Sequence, residues 1–298
     1  MTLKALRLRA LAKINLYLEV LGQRADGYHE LNSLMARVTL ADELTLEPQE
    51  AGANQDTLTV AAEGLEPFMA GPIGSGYLDP GFRHQNLALK ALDAVREYNP
   101  EIGFFKVHLL KRIPLAAGLG GGSADAAAIL SHFGRLLGLS LDKLMALALK
   151  LGSDLPFFLG PPLAVAQGRG EKLTPVALNI PTQAVLVNPG FPLATKEVFR
   201  ALALTKEPDN NNLGPDWRSL SGIGPLGRND LLAPALKIKP ELNEILRLVK
   251  GLGAEYWGLS GSGPTFWALF STEKRADKAQ KSLLASPFWS VRASLARE

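Results

Sequence analysis

Hydrophobic and polar residues alternate near the start of the chain. From residue 14 to residue 20 every second position is apolar. This period of two predicts a half-buried strand, with Lys13 and Asn15 together on its polar face. Burying an unpaired ammonium is costly, so Lys13 is either a solvated residue of the strand or a buried cation with a function. The pattern alone leaves both interpretations open.

The same criteria divide the rest of the chain into interleaved strands and helices. Short alternating or apolar runs predict strands at residues 43–47, 57–61, 104–110, 164–167 and 184–187, and a strand–turn–strand at 257–270. Helical spacing and capping residues predict helices at 86–98, 123–137, 140–152 and 240–250, a helix after Thr195, and a final helix and strand. We expect residues 207–228 to form an extended surface loop.

The order of these elements indicates the fold class. Strands and helices are interleaved, but hairpins are frequent, which favours an α+β fold over a regular parallel sheet. A Gly-Pro-Pro segment at 160–162 lies where the pattern changes. We therefore predict two domains, residues 1–161 and 162–298.

Composition narrows the classes of function. The 298 residues are 47% hydrophobic, enough for a large core, and 32 basic residues nearly balance 29 acidic ones. No run of five Lys or Arg occurs, so nucleic acid is not an expected partner. The absence of cysteine excludes disulfides, thiolate metal sites and a cysteine nucleophile.

Membrane and export segments are not expected. No apolar run approaches the roughly 18 to 20 residues that span a bilayer. Lys4, Arg7 and Arg9 interrupt the first twelve residues, which favours a first strand over an export sequence. We expect a cytoplasmic protein with no membrane partner.

A glycine-rich segment is the strongest chemical feature. Four glycines lie between Pro114 and Ser123, directly before an alanine-rich helix. Glycines let the backbone approach an anion, and the positive end of a helix favours phosphate. Ser123 could cap the helix, contact phosphate or touch Mg²⁺, whereas the alternative is a flexible loop with an ordinary serine cap. The segment lacks the spacing of both the Walker A loop and the dinucleotide-binding motif.

Three further segments allow a structural and a functional interpretation. Asp154 can cap the helix that follows it, or accept a proton from a substrate hydroxyl near a phosphate loop and a cation. The segment Gly258–Thr265 is either a Gly/Ser hairpin or a second backbone collar near phosphates. Tyr28 and His29 lie in a turn after the first strand, and the four histidines show no zinc-binding spacing.

Taken together, these segments resemble the GHMP kinases, a superfamily that includes galactokinase, homoserine, mevalonate and phosphomevalonate kinases. Within it the match is closest to the family of 4-diphosphocytidyl-2-C-methyl-D-erythritol kinases. The matching segments are Ala12–Leu16 (AKINL), Asp26–Leu31 (DGYHEL), Gly118–Ala127, Leu151–Phe158 and Leu259–Gly263. The central loop is typical of the superfamily, whereas the first two segments are specific to this branch.

The resemblance implies a two-domain GHMP kinase fold with the active site in the interdomain cleft. It implies ATP, bound as Mg-ATP, and a small cytidylylated substrate, and it makes Asp154 the catalytic base and Lys13 its partner. Implied ATP contacts are Asn86, Lys111, Pro114, Gly118, Leu119, Gly120, Gly121, Gly122 and Ser123. Implied substrate contacts are Asn15, Tyr28, His29, Thr195 and Phe199, with the C-terminal turn formed by Ser260, Gly261, Ser262 and Gly263.

The chain departs from the family pattern at one position of the glycine loop. The family often has a second serine in the loop, followed by Asn or Asp, and this chain has Ala124 and Asp125. No second carboxylate stands out as a metal ligand. We expect Tyr28 and Phe199 to hold the cytosine base between them. The alternatives are a homoserine- or mevalonate-type kinase, a related decarboxylase, or a non-catalytic nucleotide sensor of the same fold.

Overall fold

The computed structural model describes residues 4–50, 52–65, 68, 85–202, 217 and 225–297. Most of the surface loop predicted at residues 207–228 lies outside these ranges. In the described part of the chain, no helix has both the length and the apolar character needed to cross a membrane.

The chain forms two compact units. The first comprises residues 1–12, 41–115 and 120–159, and the second comprises residues 13–40, 116–119 and 160–298. This division differs from a single boundary at residue 161, because two long N-terminal strands each contribute to both units.

In its described residues, the first unit combines strands with four α-helices. β4 pairs with β2 in antiparallel and with β3 in parallel orientation. Alternate residues of β4 are buried, among them Phe105, Val107 and Leu109, as the period-two pattern predicts. Its elements are the first part of β1 (Leu6–Gln23), the last part of β2 (His29–Pro48), β3 (Thr57–Ala62), α1 (Leu87–Arg96), a 3₁₀ turn (Pro100–Ile102), β4 (Phe105–Lys111), α2 (Gly121–Leu136), α3 (Leu141–Leu151) and α4 (Leu155–Leu159).

Local capping sets where these helices begin. Asn86 accepts a hydrogen bond from the Ala88 amide at 2.9 Å, and Ser140 accepts one from the Lys143 amide at 3.4 Å, which confirms both predicted caps. α2, however, begins at Gly121, two residues earlier than predicted, after a left-handed Gly120. Ser123 therefore lies inside the first turn, and its interpretation as the helix cap is wrong.

The second unit contains an antiparallel sheet with strand order β10-β7-β9-β8, and separately pairs β2 with β5 and β5 with β6. Apolar residues of β7 and β9 and of the surrounding helices form its core. Its remaining elements are β5 (Leu163–Gly168), β6 (Lys172–Pro175), β7 (Gln183–Asn188), α5 (Thr195–Ala201), α6 (Leu232–Ile238), α7 (Leu242–Gly251), β8 (Tyr256–Leu259), β9 (Phe266–Phe270), α8 (Glu273–Leu283) and β10 (Trp289–Ser294).

The mixed strand and helix content confirms the predicted α+β class. Most predicted elements are present, and β6 and α6 are additions. The half-buried character predicted for β1 is wrong, because Lys13, Asn15 and Tyr17 are buried as well as the apolar residues between them. Coverage of both faces comes from segments distant in the sequence, which a local pattern does not contain.

Candidate active site

Lys13 is buried on β1, with only 4% of its surface exposed. Its Nζ donates to Asn15 Oδ1 at 2.8 Å. Asn15 Nδ2 donates to Ser33 Oγ at 2.8 Å, and Ser33 in turn donates to the Tyr17 carbonyl at 2.8 Å. This chain of bonds fixes the amide so that its oxygen faces the ammonium. The solvated-strand interpretation of Lys13 is therefore wrong.

The C-terminal Gly/Ser turn lies against this lysine within the second unit. A Cβ on Gly261, which has a φ of 57°, would lie 3.5 Å from Lys13 Nζ and 3.5 Å from Asn15 Oδ1. The Asn15 amide donates to Ser260 Oγ at 3.4 Å. The first and last of the matched sequence segments therefore meet, although 245 positions separate Asn15 from Ser260.

The start of the glycine loop packs on the same turn. Ser260 Oγ donates to the Gly118 carbonyl at 2.8 Å, and the Lys13 amide donates to the Leu119 carbonyl at 3.0 Å. The Thr265 amide adds a longer bond to the Ala117 carbonyl at 3.4 Å. Pro114 lies earlier in the loop and is buried. One side-chain and two backbone hydrogen bonds thus hold residues 117–119 of the loop.

The loop glycines are not equivalent. Gly118 and Gly120 have φ values of 75° and 70°, a region that other residues rarely adopt. A Cβ on Gly118 would overlap the carbonyl oxygen of Ser260. Gly121 is not left-handed and instead packs on Ile113, whereas a Cβ on Gly122 would meet only Leu87 at 3.7 Å.

We predict that Gly118→Ala abolishes measurable ATP binding and lowers the unfolding temperature. Gly122→Ala should leave the unfolding temperature close to that of the original protein. The first change adds both backbone strain and a clash, and left-handed strain alone costs about 1–2 kcal/mol. Calorimetry with Mg-ATP and thermal unfolding of both variants measure these effects. Equal ATP affinity in the two variants would contradict the proposed position of the loop.

Asp154 lies in the first unit, immediately before α4. Pro156 occupies the first turn of that helix, where its missing N–H has no cost. A Cβ on Gly152 would lie 3.9 Å from Ser123 Oγ. The turn that carries Asp154 is therefore a neighbour of the first turn of α2, as expected if both serve one reaction.

Asn86 and Lys111, the two implied adenosine contacts, have structural partners. Asn86 caps α1, as described above. Lys111 is buried, and its Nζ forms ion pairs with Asp42 and Asp125. The sequence did not identify either carboxylate as a partner of Lys111. The only local indication was an aspartate among the alanines that begin α2.

The implied substrate contacts all belong to the second unit. His29 and Phe199 stack with ring centroids 4.5 Å apart and an interplanar angle of 27°. Burial lowers the pKa of His29. Tyr28 is 49% exposed, and the Arg169 guanidinium lies 4.5 Å from its ring centroid. Phe199 thus has His29 as its ring partner.

The Gly/Ser turn has two further anchors. Thr195 Oγ1 and Ser262 Oγ share a hydrogen bond of 2.9 Å. Asn229 Nδ2 donates to the Leu259 carbonyl at 2.9 Å and to the Gly261 carbonyl at 2.8 Å. Sequence reasoning missed Asn229, which follows the segment assigned to a surface loop. Its position three residues before Leu232, the apolar first residue of α6, was the only signal.

No preformed metal cage is present in the parts of the chain described above, where His, Cys, Asp and Glu side chains form no group of three suited to a cation. Asp42 and Asp125, two buried carboxylates of the first unit, are paired with Lys111.

Comparison with known proteins identifies the family. The GHMP kinases N terminal domain matches residues 86–160, and the GHMP kinases C terminal domain matches residues 203–288. The chain is 35% identical to the 4-diphosphocytidyl-2-C-methyl-D-erythritol kinase of Geobacter metallireducens, over 97% of this chain and 98% of that protein. It is 39% identical to the enzyme of the same name from Rhodopseudomonas palustris, over 97% of this chain and 96% of that one.

Comparison with solved structures leads to the same family. A crystal structure of 4-(cytidine 5'-diphospho)-2C-methyl-D-erythritol kinase superimposes with a TM-score of 0.73 and 35% identity, covering 98% of this chain and all of that one. Homoserine kinase from Cytophaga hutchinsonii, at 16% identity, superimposes with a TM-score of 0.64 and shares the fold. The chain therefore belongs to the 4-diphosphocytidyl-2-C-methyl-D-erythritol kinases, a family of the GHMP kinase superfamily.

Proposed function

We propose that this protein transfers the γ-phosphoryl group of ATP to the C2 hydroxyl of 4-diphosphocytidyl-2-C-methyl-D-erythritol, a step of the non-mevalonate route to isoprenoid precursors. The observation that carries the proposal is the buried Lys13–Asn15 pair, held against the Gly/Ser turn and the start of the glycine loop. Of these segments, the one that carries Lys13 and Asn15 is specific to the family, and the chain resembles a member of that family over 97% of its length.

The phosphates bind at the first turn of α2. The N–H groups in the first turn of a helix have no carbonyl partner within the helix, and the helix dipole adds positive potential there. Gly121 and Gly122 present these groups without side chains in front of them, and Ser123 adds a hydroxyl. The Ser123 hydroxyl could also contact a Mg²⁺ ion bound to ATP, which would neutralise charge on the phosphates.

Phosphoryl transfer needs a proton acceptor and a cation. Asp154 takes the proton of the C2 hydroxyl as the oxygen attacks the γ-phosphorus and the bond to ADP breaks. Lys13 stabilises the charge on the attacking oxygen and on the γ-phosphate. Because Asn15 Oδ1 accepts from the ammonium, the lysine needs little reorganisation during the reaction.

The cytidine end of the substrate binds at Tyr28. Its ring is half exposed, and the neighbouring His29–Phe199 stack forms a second aromatic surface in the same unit. The site proposed for the cytosine base therefore includes three residues, Tyr28, His29 and Phe199. In it, His29 stacks on Phe199 and offers its ring nitrogens to the base.

We predict that Tyr28→Ala raises the KM of the cytidylylated substrate about 5- to 150-fold, the affinity equivalent of losing one base–aromatic stack. The KM of ATP should stay constant. Tyr98→Ala removes an equally exposed aromatic ring from the first unit and is the matched control. An equal change in both KM values, or in neither, would remove Tyr28 from the cytosine site.

A substrate panel separates this function from its alternatives. ADP release is expected with the cytidylylated methylerythritol and not with homoserine, mevalonate or diphosphomevalonate. Turnover of one of those three would assign the protein to another GHMP activity. ATP binding without phosphorylation of any panel member would favour the non-catalytic sensor.

A further inference from the structure

A buried ion network lies below the start of α2 and has no role in the reaction described above. Lys111, at the end of β4, places its Nζ 2.9 Å from Asp125 Oδ2 and in a second ion pair with Asp42. All three side chains are at most 1% exposed. Two carboxylates and one ammonium are thus removed from water at one place.

Burying these three charged groups destabilises the folded state unless their contacts offset the lost hydration. Their presence therefore suggests a function. Charged groups lose several kcal/mol of hydration each when they are buried, and only good geometry offsets this loss. Burial raises the pKa of Asp125 to about 7, with Lys111 opposing the shift and Asp42 adding to it. Among the described residues, Asp125 Oδ1 is buried without a hydrogen-bond partner. A leucine in place of Asp125 would avoid the cost of burying a charged group.

The network connects the strand that enters the glycine loop to the helix that leaves it. Asp42 Oδ1 accepts from the backbone amides of Arg112 at 2.7 Å and Ile113 at 2.8 Å. A Cβ on Gly121 would lie 3.2 Å from Lys111 Nζ and 3.0 Å from Ile113 Cγ2. The first residue of α2 therefore rests directly on groups that the two carboxylates hold.

We propose that Asp42 and Asp125 are positioning residues for nucleotide binding, which fix Lys111 and residues 112–113 and thereby set the position of the α2 N-terminus. The inference rests on the proposed function, in which the N–H groups of this turn bind the phosphates of ATP. Neither carboxylate is a general base, because both are buried and paired with the ammonium.

The test compares two buried aspartates of the first unit. Asp125→Ala removes one carboxylate of the network. Asp56→Ala removes a buried carboxylate that pairs with Arg96 and accepts from the Phe105 amide, away from the glycine loop. For each variant we would measure the Kd of a non-hydrolysable Mg-ATP analogue, both KM values and the unfolding temperature.

Asp125→Ala is expected to raise the Kd of the analogue about tenfold or more, the equivalent of one hydrogen bond to a charged group. The KM of the cytidylylated substrate should stay within about twofold of its original value, since only the phosphate turn is displaced. Asp56→Ala should lower the unfolding temperature without changing the Kd. An unchanged Kd in Asp125→Ala, or equal changes in both variants, would overturn the inference.

A second variant covers the case in which Asp125→Ala does not fold. Asp125→Asn keeps the shape and one hydrogen bond from Lys111, but removes the negative charge that faces the ammonium and so weakens the contact. We expect a Kd increase of about threefold, and an unchanged Kd would again overturn the inference. If the original protein does not bind the analogue, the proposed function itself fails, which is a distinguishable result.

Discussion

Asp154→Asn is expected to lower kcat by about 10²- to 10⁴-fold, the usual contribution of a general base. The amide has nearly the same shape as the carboxylate but cannot take the proton of the substrate hydroxyl. Affinity for ATP and the unfolding temperature should stay close to their original values. Steady-state kinetics with the cytidylylated substrate, together with calorimetry for ATP, measure both parts of this expectation.

The alternative role of Asp154 makes a different prediction. Asn caps helices nearly as well as Asp, so a residue that only caps α4 would tolerate the change with less than about a threefold loss of kcat. Asp142→Asn, in the first turn of α3, is the matched control for a surface carboxylate at a helix start. Similar kinetics for the two variants would assign Asp154 to capping.

Lys13→Met is expected to lower kcat by about 10²- to 10³-fold, as for other preorganised groups that face developing charge. The KM of ATP should rise far less. Methionine has a comparable length and suits a buried position, so the fold should persist. The variant leaves Asn15 Oδ1 without its ammonium donor. Rapid-quench measurement of the chemical step separates this effect from a change in binding.

The structural alternative for Lys13 is equally testable. If the lysine only supports the Gly/Ser turn, its replacement lowers the unfolding temperature and leaves kcat within a few-fold of the original. Lys106→Met changes an exposed lysine on β4 and controls for the loss of one positive charge.

Local patterns predicted the elements that local chemistry determines. Alternation placed Lys13 and Asn15 on one face, and capping residues located the starts of α1 and α3. The start of α2 was misplaced because its cap is a left-handed glycine, which has no side chain to indicate it. β6 has only four residues and is paired with β5, so its existence depends on a neighbour more than on its own sequence.

The site itself depends on long-range contacts that no local pattern contains. Motif order suggested that the Gly/Ser turn and the glycine loop act together, but not that Ser260 bonds directly to Gly118. Lys111 and Asp42 are 69 positions apart, and their pairing follows from strand packing that sequence reasoning did not attempt. Buried polar residues such as Asn229 are recognised as supports only when their partners are known.

Phosphorus NMR of the reaction products tests the central claim most directly. The purified protein would be incubated with Mg-ATP and 4-diphosphocytidyl-2-C-methyl-D-erythritol. We expect one new phosphomonoester resonance to grow in equal amount with ADP, while the diphosphate resonances of the cytidylylated substrate are retained. ADP formation without a new phosphomonoester, or no reaction in a folded protein that binds ATP, would contradict the account.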